Sequence, residues 1–128
     1  MAKVTLQPLT QFDTRAVNDL TEVGPIDFYR QEQSRGIGAL FAVIKNGQRV
    51  GSVLIRREIL RNGEKQCVVV AGKVRSESAV LDPGMREIER RAKGNGCTSI
   101  RLHTDRVGLI KNLLKRNPDA ETVVEWDL

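Results

Sequence analysis

The chain has 128 residues, of which 40% are hydrophobic and 29% charged, a balance typical of a folded globular protein rather than a disordered one. The length is that of one domain, so we assign residues 1–128 to a single domain. No apolar run approaches the roughly 20 residues needed to cross a bilayer. The first residues enter a strand-like pattern without a secretion leader, and we therefore expect a cytoplasmic protein.

The chain carries an excess of positive charge, with 21 Lys and Arg against 16 Asp and Glu and a net charge of +5. This excess fits an acidic partner, such as nucleic acid, a cofactor phosphate or an acidic protein face, and it equally fits an ordinary solvated surface. Aromatic residues make up only 4% of the chain, which argues against a stacking platform for single-stranded nucleic acid.

The two cysteines, Cys67 and Cys97, lack the spacing of a metal or redox motif. They fit small buried thiols in a reducing compartment, although their number alone leaves a disulfide between them open. The chain has one histidine, His103, so we predict no structural zinc site.

The first half of the chain predicts one strand and two helices. Partial alternation of apolar residues indicates a strand around 4–9. Thr10 is expected to cap the first helix, with Asp13 in its first turn, where the helix dipole favours an acidic residue. A break at Gly24-Pro25 separates this helix from a short polar one over 27–35.

Three strands joined by two tight turns follow. Both turns carry Asn-Gly, at Asn46-Gly47 and Asn62-Gly63, and the first has the two-residue form in which both central positions need a positive φ. Gly51 marks an expected β-bulge. The predicted strands are 39–45, 48–59 and 66–74.

The last part of the chain alternates helices and strands. Asp82 is predicted as the N-cap of a helix with Pro83 at its first position, and Gly94 to Gly96 ends that helix. A strand over 96–104, a helix over 105–116 and a strand over 121–128 follow. The order β-α-α-β-β-β-α-β-α-β predicts an α/β (α+β) domain with a mixed, mostly antiparallel sheet flanked by helices. The crossover helix makes the strands at 66–74 and 96–104 parallel.

This order of elements resembles that of the GNAT superfamily, the acyl-CoA-dependent N-acetyltransferases, over nearly the whole chain. Phe41–Leu54 resembles the hairpin that leads into the family's catalytic strand, and Ala92–Ile100 resembles its helix-to-strand passage. Arg57-Glu58 and Gly96–Leu109 are similar to small GNAT-like proteins of tailed phages and prophages. The resemblance implies acetyl-CoA as cofactor.

The family binds the cofactor pyrophosphate on an Arg/Gln-x-x-Gly-x-Gly/Ala loop at the start of a helix, where free backbone N–H groups point at the anion. The corresponding stretch here, 72–84, lacks glycines between Arg75 and Pro83. Asp82 would place a carboxylate at the phosphate position, and Pro83 removes a donor. On this alignment the cofactor contacts are assigned to Val70, Ala71, Val74, Arg75, Ser76, Ser78 and Gly84.

The candidate catalytic groups are Glu58 and His103. Glu58, or Glu64 in the adjacent turn, would accept a proton from an amine substrate; alternatively, Glu58 is a surface carboxylate beside Arg56 and Arg57. His103 near a strand's carboxyl end would be a base, or it would support the turn at Asp105. The family's thiolate-protonating tyrosine aligns with a leucine, Leu114, and the chain's one tyrosine is Tyr29.

Two function classes follow from the resemblance. The degenerate loop and the absent tyrosine favour a GNAT-fold protein without catalysis that serves as a binding or structural component, such as part of a phage particle or its assembly. The complete order of elements keeps open an active acyl-CoA-dependent N-acetyltransferase. A structural role implies a homo-oligomer or a protein partner.

Overall fold

A computed structural model describes residues 3–75, 77–102 and 125–128, and in these residues a six-stranded sheet is flanked by three helices. The strands are β1 Val4–Leu9, β2 Gly38–Lys45, β3 Gln48–Ile59, β4 Lys65–Val74, β5 Cys97–Leu102 and β6 Glu125–Asp127. The helices are α1 Thr14–Thr21, α2 Ile26–Ser34 and α3 Glu77–Gly94.

The strands lie side by side in their order along the chain, from β1 to β6. β4 and β5 are parallel, and every other neighbouring pair is antiparallel. The predicted mixed sheet, its parallel pair and the order of elements are therefore confirmed. The helix predicted over 105–116 and the first part of the predicted last strand lie outside the described residues.

Helices cover both faces of the sheet, and each face has its own apolar core. α3 packs on β1, β4 and β5, whereas α1 packs on β3 and β4 and α2 on β2. Because side chains alternate between faces along a strand, Val53 joins the core under α3 and Leu54 the core under α1 and α2. No helix in the described part of the chain is long and apolar enough to cross a membrane.

The turns follow their local sequence. Asn46 and Gly47 both have positive φ, 49° and 83°, as the prediction for the first hairpin required. At the second turn Gly63 has positive φ, and the Asn62 side chain accepts a hydrogen bond from the Glu64 N–H at 2.9 Å.

The predicted start of the first helix is wrong. The N-cap of α1 is Asp13, whose side chain accepts a hydrogen bond from the Ala16 N–H at 2.9 Å, and not Thr10. The Thr10 carbonyl instead accepts a hydrogen bond from the Gln33 side chain of α2. Asp is the stronger cap of the two residue types, and capping by Asp13 starts the helix later than predicted.

The predicted start of the third helix is also wrong. α3 begins at Glu77, and Asp82 and Pro83 lie inside it. Because α3 begins before Asp82, Val80 is helical and lies in the core with Met85 and Ile88. The exposed fraction of Val80 is 1%. Burial of this side chain stabilises the extra turn against the hydrogen bond that Pro83 cannot donate. Asp82 lies within ion-pair distance of Arg86, at 3.8 Å.

Candidate functional site

β4 has an extra residue at its centre. Leu54 of β3 is opposite Ala71, but the next residue, Ile55, is opposite Val69, so Val70 has no partner on β3. This β-bulge sends two successive side chains to one face, because both Val70 and Ala71 pack with the α1 and α2 core. The bulge bends β4 and changes the direction of its main chain after Val70.

β4 also continues past its pairing with β5. Among the described residues this parallel pairing ends at Val69 and Leu102, whereas β4 extends to Val74. The Arg75 N–H donates to the Val50 carbonyl of β3 at 2.9 Å. Since peptide groups alternate in direction along a strand, the N–H groups of Gly72 and Val74 point away from β3, toward the side of β5.

β3 and β4 approach each other closely beside this segment. Ile44 of β2 is opposite Arg49 and Val43 is opposite Gly51, so Val50 is the extra residue of a second bulge. A Cβ on Gly51 would lie 2.1 Å from the Lys73 carbonyl oxygen. The expected bulge at Gly51 is therefore confirmed, with the extra residue one position earlier.

The connection from β4 to α3 consists of Arg75 and Ser76 alone, and Ser76 lies outside the described residues. Ser78 is in the first turn of α3. Gly84, assigned to the cofactor from sequence, lies inside the helix and faces β1, with its Cβ position 3.9 Å from Val4 Cγ1. The start of α3 thus adjoins Arg75, and neither Asp82 nor Pro83 lies there.

A chain of polar side chains lies on the α1 face of the same region. Asp19 of α1 accepts a hydrogen bond from the Ser52 hydroxyl at 2.8 Å, and its other oxygen is 3.7 Å from the Arg75 guanidinium. Arg49 donates to Ser52 Oγ at 3.1 Å and forms an ion pair with Asp13. The Arg49 hydrogen bond holds the pKa of Asp13 below its usual value. This chain joins the start of α1 to the β4–α3 connection.

Asp19 and Ser52 were not predicted as members of a site, although a signal for both exists in the sequence. Asp19 lies on the same helical face as the buried Ala16 and Leu20, where a carboxylate is uncommon without a partner. Ser52 interrupts the apolar run of β3 and is fully buried. Their pairing depends on the packing of α1, which the sequence pattern does not contain.

The predicted base, Glu58, lies at the other end of β3. It is opposite Gln66, near the start of β4, and four residues from Leu54 correspond to about 14 Å along a strand. Its carboxylate binds Arg56 at 2.7 Å and Arg101 at 3.2 Å. The structure does not bring Glu58 together with the cofactor candidates of β4, and its proposed role as base stays a prediction.

The remaining candidates are less informative about a site. His103 lies outside the described residues. Glu64 accepts a hydrogen bond from the Thr98 hydroxyl at 3.2 Å. Both cysteines are buried and free, and burial raises the pKa of Cys67 to about 12 and also raises the pKa of Cys97, which suits packing rather than nucleophilic chemistry. The described residues contain no cluster of side chains that could hold a metal ion.

Comparison with solved structures identifies the fold. An acetyltransferase from Trypanosoma brucei matches with a TM-score of 0.64 at 12% identity, covering 93% of this chain and 94% of that one. The chain has the GNAT acetyltransferase fold. A GNAT family acetyltransferase from Elizabethkingia anophelis with acetyl-CoA bound matches with a TM-score of 0.64 at 14% identity, covering 90% of this chain and 75% of that one.

A third structure, an acetyltransferase from Bacillus subtilis in complex with CoA, matches with a TM-score of 0.63 at 12% identity, covering 98% of this chain and 99% of that one. No protein-family model matches the sequence, and no curated protein sequence matches it. The GNAT fold is thus established by shape across nearly the whole chain, at low sequence identity.

The residues of this GNAT-fold chain fit a CoA thioester by the chemistry of their donors. The Gly72 and Val74 N–H groups point away from β3, so they could donate to an extended ligand that pairs with β4 as a further strand would. The backbone N–H groups in the first turn of α3 have no partner within the helix. Arg75, the residue that follows β4, adds a guanidinium. A CoA thioester has amide groups, which main-chain N–H groups can bind, and phosphates, which a cationic side chain can bind.

Proposed function

We propose that this GNAT-fold protein binds an acyl-CoA beside β4 and transfers the acyl group to an amine: the amide bond forms as the thioester bond breaks, and CoA leaves as the thiol with the proton that the amine loses. The observation that carries the proposal is the Val70 bulge, which adjoins the last described β4–β5 pair, Val69 with Leu102, and is followed by N–H groups that face away from β3. The revised start of α3 supports it, because Asp82 and Pro83 no longer stand where phosphates would bind.

Each part of the site has a distinct role in this proposal. Bound acyl-CoA would supply an activated thioester. The N–H groups of Gly72 and Val74 orient the ligand along the strand, and Arg75 with the first turn of α3 binds the diphosphate. The apolar side chains of Val70 and Ala71 exclude water from the α1 side of the bulge.

Calorimetric titration with acetyl-CoA tests this function. We expect saturable binding at micromolar ligand, and a loss of about tenfold in affinity for Arg75→Ala. Arg61→Ala is the matched control, because Arg61 is an exposed arginine in the turn before β4, at the opposite end of that strand. No binding at millimolar acetyl-CoA, or equal losses in both variants, would refute the proposed site.

A non-catalytic binding or structural role is the second candidate, and the placement of Glu58 favours it. Both oxygens of this carboxylate are engaged by arginines, so the base predicted from sequence is already occupied. The sequence resemblance to small phage proteins suggests a component of a particle or its assembly, as a homo-oligomer or with a protein partner. Light scattering on the purified protein tests this, since a monomer at all concentrations would count against a self-assembling component.

A further inference from the structure

Asp19 is a buried carboxylate with one oxygen directed at Arg75. The residue is 6% exposed, and a charge at this depth is costly unless other groups compensate it. Ser52, which is fully buried, donates its hydroxyl to Asp19 Oδ2 at 2.8 Å, while Asp19 Oδ1 lies 3.7 Å from Arg75 Nη2. The hydroxyl thus fixes one oxygen and leaves the other to the guanidinium.

Arg75 is held at two points. Its backbone N–H donates to the carbonyl of Val50, the bulged residue of β3, at 2.9 Å, and Asp19 attracts its side chain. Lys73 points to the same face of β4 but pairs with Glu22, whose side chain is 67% exposed. A surface pair of that kind restrains a side chain weakly, whereas a buried carboxylate has a fixed position.

The partners of Asp19 are themselves fixed. Arg49 donates to the Ser52 hydroxyl at 3.1 Å, and Arg49 in turn binds the carboxylate of Asp13, the N-cap of α1. The chain of contacts therefore runs from the start of α1 through β3 to Asp19. It ends at the guanidinium of Arg75, which is more than half exposed and can still reach a ligand.

We propose that Asp19 is a positioning residue that holds the Arg75 guanidinium at the carboxyl end of β4 for the diphosphate of an acyl-CoA. This inference rests on the proposed function. A long arginine side chain loses much rotamer freedom when it binds a phosphate, and a side chain that is already held loses less. Asp19 therefore strengthens diphosphate binding although it carries a negative charge itself.

Binding of two ligands to matched variants tests the inference. Acetyl-CoA carries the diphosphate, and S-acetylpantetheine carries the same thioester without it. We expect Asp19→Asn to weaken acetyl-CoA binding about fivefold to tenfold and to leave S-acetylpantetheine binding unchanged. Glu22→Gln is the control, since it removes the same charge from the end of the same helix without touching Arg75, and we expect it to leave both affinities unchanged.

A double-mutant cycle separates positioning from a general effect on the fold. If Asp19 acts through Arg75, the double variant with Asp19→Asn and Arg75→Ala binds acetyl-CoA no more weakly than Arg75→Ala alone. Ser52→Ala provides a second route if Asp19→Asn folds poorly, because it releases Asp19 Oδ2 and should produce a smaller loss confined to acetyl-CoA. Intact S-acetylpantetheine binding shows that each variant is folded.

The outcomes distinguish this inference from the function beneath it. If the unmodified protein binds neither ligand, the proposed function fails and the role of Asp19 fails with it. If the protein binds acetyl-CoA but Asp19→Asn behaves as Glu22→Gln does, the function stands and only the positioning role is overturned. Equal losses for both ligands, or additive effects in the cycle, would likewise overturn it.

Discussion

Glu58 of β3 and Arg101 of β5 form an ion pair across the intervening strand β4, with 3.2 Å between Glu58 Oε2 and Arg101 Nη2. Arg56 binds the other Glu58 oxygen at 2.7 Å and also reaches Glu32 of α2 at 2.6 Å. These four side chains join α2 to the part of the sheet where β4 and β5 are still paired. Glu58 itself is opposite Gln66, four residues before Val70, and the network connects three elements of the fold.

Replacing Glu58 separates a structural role from the catalytic one predicted by sequence. Glu58→Gln leaves two arginines without a full countercharge, so we expect the free energy of unfolding to fall by about 1 kcal/mol. Acetyl-CoA binding should be unchanged because the residue is remote from the proposed site. Urea denaturation and calorimetry measure the two quantities. Loss of acyl transfer at unchanged stability would instead identify Glu58 as the base.

The pair between Glu32 and Arg56 should contribute more to stability than the exposed pair between Glu22 and Lys73. Only 7% of the Glu32 side chain is exposed, so Glu32→Gln removes the more buried of the two carboxylates that Arg56 binds. We expect a loss of about 2–3 kcal/mol in the free energy of unfolding, measured from urea denaturation curves. Glu22→Gln, in an exposed pair, should change it by less than about 0.5 kcal/mol. Equal effects would show that burial does not set the strength of these pairs.

Strands and turns were predictable because their determinants are local. Both ends of β3 match the prediction of 48–59, and Asn46-Gly47 adopts the backbone that its residue types favour. The start of α3 could not be predicted locally. Asp82-Pro83 is a strong local signal for a helix start, but burial of Val80 overrides it. A local preference of this size yields to the packing of a core side chain.

The site depends on register, which the sequence does not encode locally. Val70 lies within the apolar run Cys67–Ala71, where burial on both faces hides the alternation that would reveal an extra residue. The contacts of Asp19 with Ser52 and Arg75, and of Glu58 with Arg101, join residues far apart in the chain. The family resemblance suggested Arg75 as an anion ligand, but its partner on α1 required the packed structure.

Asp13 should make stability depend on acid pH. The hydrogen bond from Arg49 is the main cause that holds the pKa of Asp13 below 3.8, the value expected in the unfolded chain. Its contribution is therefore fully present above that value and is lost as the pH falls through the lower pKa of the folded state. Asp13→Asn keeps a capping side chain and removes the charge, so we expect a loss of about 1 kcal/mol near neutral pH.

Urea denaturation of both proteins near neutral pH and at about pH 2 measures this effect. The difference between Asp13→Asn and the unmodified chain should shrink at the lower pH. A difference that does not change with pH would mean that the carboxylate charge contributes nothing beyond the cap.

Cys67 should be unreactive in the folded protein. Burial, with a smaller effect of the neighbouring Cys97, raises the pKa of Cys67 to about 12, so at pH 8 only about one thiol in ten thousand is ionised. We expect iodoacetamide to label neither cysteine under native conditions and both of them in denaturant, as read by mass spectrometry. Rapid native labelling of Cys67 would contradict its placement in the core under α3.

Two glycines beside the site provide a matched test of strand packing. A Cβ on Gly51 would lie 2.1 Å from the Lys73 carbonyl oxygen, a backbone atom that cannot move without displacing β4. A Cβ on Gly72 would lie 3.4 Å from Val53 Cγ2, where a small side-chain adjustment suffices. We expect Gly51→Ala to lower the free energy of unfolding by about 3 kcal/mol, and Gly72→Ala to change it by less than about 1 kcal/mol.

Thermal and urea denaturation of the two alanine variants measure these changes. Because Gly51 allows the close approach that precedes Arg75, Gly51→Ala should also weaken acetyl-CoA binding under conditions where the variant is folded. A Gly51→Ala variant as stable as Gly72→Ala would show that β3 and β4 are farther apart beside Val74 than this register requires.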